Sequence, residues 1–186
     1  MVKGKITICL IAVLLACVVV AVEEKQGTKR LSEKNICIRV GIFDSRAVAV
    51  AYCNSEISHQ KLNQMREEGN KAKAAGNMEK YRELEQRGQQ MQKKAHMQGF
   101  GTADVNDLLE YIKDKMPQIA QNADVDIVVS KWNIVYQNPD IKLVDITDEI
   151  VKAYNPGEKT LKKIEDLKKR KPISLEELEK MDHTKF

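Results

Sequence analysis

Two short stretches rich in β-branched residues, 36–43 (ICIRVGIF) and 125–130 (VDIVVS), bracket a long tract of helical pattern. That arrangement constrains the fold more than any other feature. A lone strand leaves its backbone N–H and C=O groups without partners, so these segments must pair. Everything in residues 44–124 is then an excursion between two neighbouring strands.

The excursion starts at Asp44-Ser45, both good N-caps, which open a helix of small and branched residues, RAVAVAYCNSE. Residues 55–74 carry a thin apolar stripe at Leu62, Met65, Gly69 and Ala72. Ala75-Gly76-Asn77 reads as a helix stop and restart. Residues 78–98 repeat the stripe at Tyr81, Leu84, Gly88, Met91 and Ala95, with spacing like that of a coiled coil. This pair is either a helical hairpin protruding from the core or a solvated pair lying against it. After a break at Gly99-Phe100-Gly101, the strongest apolar stripe runs through Val105, Leu108, Leu109, Ile112, Met116, Ile119 and Ala120. Pro117 inside it predicts a kink or an interruption. Beyond 125–130, Lys131-Trp132-Asn133 reads as a bend and Ile134-Val135-Tyr136 as a strand. Asn138-Pro139-Asp140 then turns into an extended 141–144, and Asp145 or Thr147 caps a helix ending near Tyr154.

The chain begins with Lys3 and Lys5 ahead of an apolar run, residues 6–22 (ITICLIAVLLACVVVAV). Its 17 residues exceed an ordinary signal core and fall short of the ~20 that span a membrane. Cleavage after Ala21, retention as an anchor, and lipid attachment at Cys17 all fit. Each implies that the remainder works outside the cytoplasm. Residues 23–35 form a polar linker, 36–157 the folded domain, with the helical excursion at about 55–123, and 158–186 a charged tail. Cys37 and Cys53 are the cysteines of the body, compatible with a disulfide or with two buried thiols.

With 31% charged and 5% aromatic residues, the chain has material for only a small core and long solvated helices. Basic and acidic residues nearly balance, 31 against 27, which disfavours a nucleic-acid binder. In the tail, residues 159–171 hold seven Lys or Arg against two acids, and Ser174 with Glu177 spells a capping box. A solvated helix is the expectation there, with an anionic membrane surface or a partner protein as candidate contacts.

No catalytic constellation is visible. His59, His96 and His183 lack metal-ligand spacing, Cys53 has no general base beside it, and the glycines at 99–101 lack a P-loop lysine. Asp44 ends a strand, where catalytic acids often sit, but helix capping accounts for it. The chain is expected to be no enzyme and to need neither metal nor cofactor.

Residues 38–52 (IRVGIFDSRAVAVAY) and 123–155 (ADVDIVVSKWNIVYQNPDIKLVDITDEIVKAYN) resemble the two ends of the Skp, or OmpH-like, periplasmic chaperones. The resemblance implies an α+β fold: a small β-sheet or barrel core with a long helical hairpin arm inserted between the first and second strands. It further implies a homotrimer that shelters unfolded outer-membrane or other exported proteins in the periplasm without ATP. On that expectation Ile36, Ile38, Val40, Ile42, Val125, Ile127, Val129, Val135 and Ile146 are core or trimer-interface residues. Client contact falls to Leu62, Met65, Tyr81, Leu84 and Met91, with Lys71, Lys73, Lys80, Arg82 and Arg87 supplying charge. A membrane-tethered envelope scaffold is the alternative, because of the apolar run and the basic tail.

Overall fold

A computed structural model of the chain describes residues 38–181. The expectations for residues 1–35, Ile36, Cys37 and His183 lie outside the described residues. Among those described, no helix is long and apolar enough to cross a membrane.

Strand β1 (Val40–Phe43) leads into α1 (Ser45–Cys53), α2 (Glu56–Ala74) and α3 (Met78–Gly99). Then follow α4 (Asn106–Leu109), a 3-10 turn (Glu110–Lys115), α5 (Met116–Asn122) and β2 (Ile127–Ser130). A second 3-10 turn (Lys131–Asn133) precedes β3 (Leu143–Asp145), α6 (Thr147–Lys152), α7 (Glu158–Lys168) and α8 (Leu175–Lys180). The fold is therefore mixed helix and strand, with helices filling the interval between the first and second strands.

The strands form one parallel sheet in the order β2-β1-β3. Val40 lies opposite Ile127 and Leu143, and Ile42 opposite Val129 and Asp145. Because strand side chains alternate between faces, this register sorts the sheet into two unlike sides. Phe43, Val128 and Val144 join the main core, packed with Ala47, Val48 and Ala51 of α1, Ile112, and Ile150 of α6. Residues 40, 42, 127, 129 and 143 point the other way and are absent from that core. Parallel sheets are ordinarily covered on both faces, so a side with half-buried Val40, Ile42, Val129 and Leu143 and exposed Ile127 is unusual.

The turn between α2 and α3 falls where the stop signal stands. Gly76 takes φ +71°, a conformation that L-residues with a side chain avoid. The Asn77 and Gly76 N–H groups donate to the carbonyls of Ala72 and Lys73, closing a Schellman motif. Asn77 then caps α3 through its side chain.

Two expectations are corrected. Residues 134–136 form no strand: Val135 is fully exposed and Tyr136 is 80% exposed, since no neighbouring strand pairs with them. Of the kink or interruption expected at Pro117, the structure shows the interruption: the stripe from Val105 to Ala120 runs through α4, a 3-10 turn and α5, with Pro117 in the first turn of α5 where its missing N–H costs nothing. Residues 158–181 are not a solvated appendage. Ile164 of α7 and Leu178 of α8 are 1% exposed, and burying each contributes about 1.5–3 kcal/mol. The expected capping box of Ser174 and Glu177 starts α8.

Candidate functional site

In an open parallel sheet, the carboxyl ends of the strands are where side chains from separate elements converge. Here that edge gathers Asp44 from the β1–α1 junction, Lys131 and Trp132 from the turn after β2, and Asp145 and Thr147 from the β3–α6 junction.

Asp44 is the hub and is 1% exposed. Its Oδ1 accepts from the Arg46 backbone N–H (3.0 Å), Arg46 Nε (3.1 Å) and Trp132 Nε1 (3.1 Å). Its Oδ2 accepts from Arg46 Nη2 and Lys131 Nζ, both at 2.8 Å. Burial alone would push the carboxyl pKa upward. Hydrogen bonds from Arg46, Lys131 and Trp132, with the charge of Arg46, outweigh it and hold Asp44 at about 2. A carboxylate so surrounded and so acidic is not poised for proton transfer near neutral pH. Its roles are to cap α1 and to anchor two cations.

Arg46 spends its guanidinium on three groups. Two nitrogens form a fork on Asp44, and Nη1 donates to the Arg170 carbonyl beyond α7 at 2.9 Å. Its plane lies 4.8 Å from the Trp132 ring centroid, and Lys131 Nζ lies 4.6 Å from the same ring. On the β3 side, Thr147 Oγ1 accepts from the Asp44 backbone N–H (2.9 Å) and donates to Asp145 Oδ1 (2.5 Å). The three strand ends are thus joined by one polar network.

Beside the network lies a half-open cleft of about 350 Å³ between the ends of β1 and β2 and the loop before α4. Phe43, Val128, Leu109, Met116 and Ile134 give it an apolar lining. Ser45, Thr102, Asn106, Ser130 and Asn133 add polar groups. The loop wall is held by Gln98, 2% exposed, which donates to the Asp104 carbonyl (2.7 Å) and to Asp107 Oδ1 (2.9 Å).

The residues expected to contact clients lie elsewhere, on α2 and α3. Leu84 is buried, and Leu62, Met65, Tyr81 and Met91 are half-buried. Met65 Cε lies 3.5 Å from where a Cβ on Gly88 would stand, so the two stripes meet in a seam between the helices. Lys71, Lys73, Lys80, Arg82 and Arg87 are exposed, with Lys73 Nζ 5.4 Å from the Tyr81 ring and Lys80 paired to Glu83. Of the expected core or interface set, Val125 and Ile146 are buried, and Val40, Ile42 and Val129 half-buried. Ile38, Ile127 and Val135 are exposed and so are not core residues of the single chain.

Cys53 is a free thiol, and burial pushes its pKa up. Among the described residues no group of His, Cys, Asp and Glu could hold a metal ion. Sequence reasoning found Asp44 as a cap but missed Arg46, Lys131 and Trp132 as its partners. A basic and an aromatic residue directly after a second strand was the only available signal. No protein family, curated protein or solved structure was found to match this chain.

Proposed function

We propose that this chain is an exported, self-assembling holdase that shelters unfolded exported or outer-membrane proteins without nucleotide. The observation that carries the reading is the uncovered sheet face. Among the described residues the helices pack on the other side of this parallel sheet, and Val40, Ile42, Ile127, Val129 and Leu143 form an apolar surface on this one. Exposed Ile38, Val135, Tyr136 and Ile141 add apolar surface outside the core. Further copies of the same chain would bury this surface and the open edges of β2 and β3. A trimer closing into a small barrel is the assembly that the resemblance to Skp-like chaperones suggests. The α2–α3 pair then serves as the arm. Since its apolar stripe is engaged in the seam, client contact rests on the exposed Lys71, Lys80, Arg82 and Arg87 and on the half-buried rims of Met65, Tyr81 and Met91. Residues 55–98 carry nine basic against six acidic side chains. Such a surface favours weak contact at many points over one deep pocket.

The test is the mass of the purified protein by light scattering, with its suppression of aggregation of a denatured outer-membrane protein. A trimer that suppresses aggregation at stoichiometric ratio is expected. A stable monomer, or an assembly without effect on the client, overturns the reading. A second reading, a tethered envelope scaffold, draws on α7, where Lys159 and Lys162 are exposed beside Leu161. Intact mass separates the two, because a tether requires residues 1–22, or a lipid on Cys17, to survive in the mature protein.

A further inference from the structure

The cleft beside the strand ends has a property that the polar network lacks: several of its polar side chains have no partner within the protein. Ser45 is 2% exposed and lines the cleft, and its Oγ has no hydrogen-bond partner. A buried hydroxyl without a partner costs the folded chain stability, so an otherwise satisfied core calls for an explanation of it. Among the described residues, the side chains of Thr102, Asn106 and Asn133 make no hydrogen bond with one another or with the rest of the protein. Ser130 Oγ accepts from the Trp132 backbone N–H at 3.4 Å and keeps its own proton free to donate. Hydroxyls and amides thus surround an apolar floor of Phe43, Val128 and Met116.

We infer that this cleft is a binding site for a small uncharged molecule carrying an amide or hydroxyl group on an apolar body. Volume, place and lining all bear on this. About 350 Å³ lies within the range of small-molecule sites, and sites in open parallel sheets lie outside the carboxyl ends of the strands. The lining also sets the charge of the ligand. Asp104 is the one ionisable residue among those lining the cleft, so an anion meets a like charge. The neighbouring cations Arg46 and Lys131 are already committed to Asp44. A neutral group can use both the donors and the acceptors of Ser, Thr and Asn side chains. Val129 is the one lining residue that the cleft shares with the sheet face of the holdase reading, and the site does not depend on that reading.

The test uses three probes that share one apolar body: benzamide, benzoate and benzylamine. Each is titrated into the full protein while backbone amide resonances are followed. Benzamide is expected to give saturable shifts at Thr102, Asn106, Val128 and Ser130, with benzoate at least tenfold weaker. Ser45→Ala should weaken benzamide at least threefold without lowering the melting temperature, because the hydroxyl has no partner in the unliganded chain. Ala103→Trp, which fills the cleft from its loop wall, should abolish the shifts. Shifts that never saturate, benzoate binding as well as benzamide, or unchanged binding to Ser45→Ala would each overturn the proposal. Should Ala103→Trp fail to fold, Ser45→Ala and the probe series decide alone.

Discussion

Asp44 and Arg46 stand two positions apart in the chain and meet as an ion pair in which each side chain is 1% exposed. Removing one member strands the other charge away from water. Arg46→Ala should therefore destabilise the protein by about 3–5 kcal/mol, read as a lower urea midpoint. Arg46→Lys should recover only part of this. An ammonium cannot form the fork on Asp44 while also reaching the Arg170 carbonyl and stacking on Trp132.

Asp44 also sets an acid limit. Its folded pKa of about 2 lies below the 3.8 of an unperturbed aspartate, so the unfolded chain binds the proton more readily. The resulting stabilisation is complete above the unfolded value and is lost as pH falls through about 2. A shift of this size corresponds to about 2–3 kcal/mol. Urea midpoints measured from about pH 5 downward should fall in this window for the native chain and much less for Asp44→Asn.

The tail should behave as core. Ile164→Ala is expected to cost about 2–5 kcal/mol, the range for truncating a buried aliphatic side chain. Gly101 tests the same packing from the opposite side. A Cβ there would stand 2.8 Å from both Leu178 Cδ1 and the Met97 carbonyl oxygen, and 2.9 Å from Leu175 Cδ2. Gly101→Ala should lose about 1–3 kcal/mol by overpacking, seen as a lower melting temperature. If α7 were solvated, Ile164→Ala would melt with the native protein.

Cys53 offers a reporter of local opening. Because burial raises its pKa, little thiolate forms at mildly alkaline pH. With Cys9, Cys17 and Cys37 replaced by Ser, labelling by an aromatic disulfide reagent at about pH 8 should be slow in the folded protein and fast in denaturant. Rapid native labelling would show that the end of α1 opens.

Some of this could be read in the residues directly. β-branched runs gave β1 and β2, Asp44 announced α1, and Gly76 with Asn77 marked the turn between two long helices. These are local signals, carried by backbone preference and capping. Val135 and Tyr136 misled because β propensity says only that a residue suits a strand, and no partner strand reaches them. The tail misled for the opposite reason. Leu161, Ile164 and Leu167 form a narrow stripe among lysines, yet Ile164 finds a buried place and Leu161 does not. The network at the strand ends lay deeper still. Asp44 and Trp132 are 88 positions apart, and only the parallel register of β1 with β2 brings them together.

The bond from Arg46 to the Arg170 carbonyl bears on the order in which the chain is made. Synthesis delivers residue 46 early and residue 170 near the end. Both neighbours of the central strand exist once residue 145 has been made, but the guanidinium still lacks its last acceptor. A chain that has not yet reached residue 170 therefore holds the Arg46 guanidinium without the acceptor that ties α1 to the loop between α7 and α8.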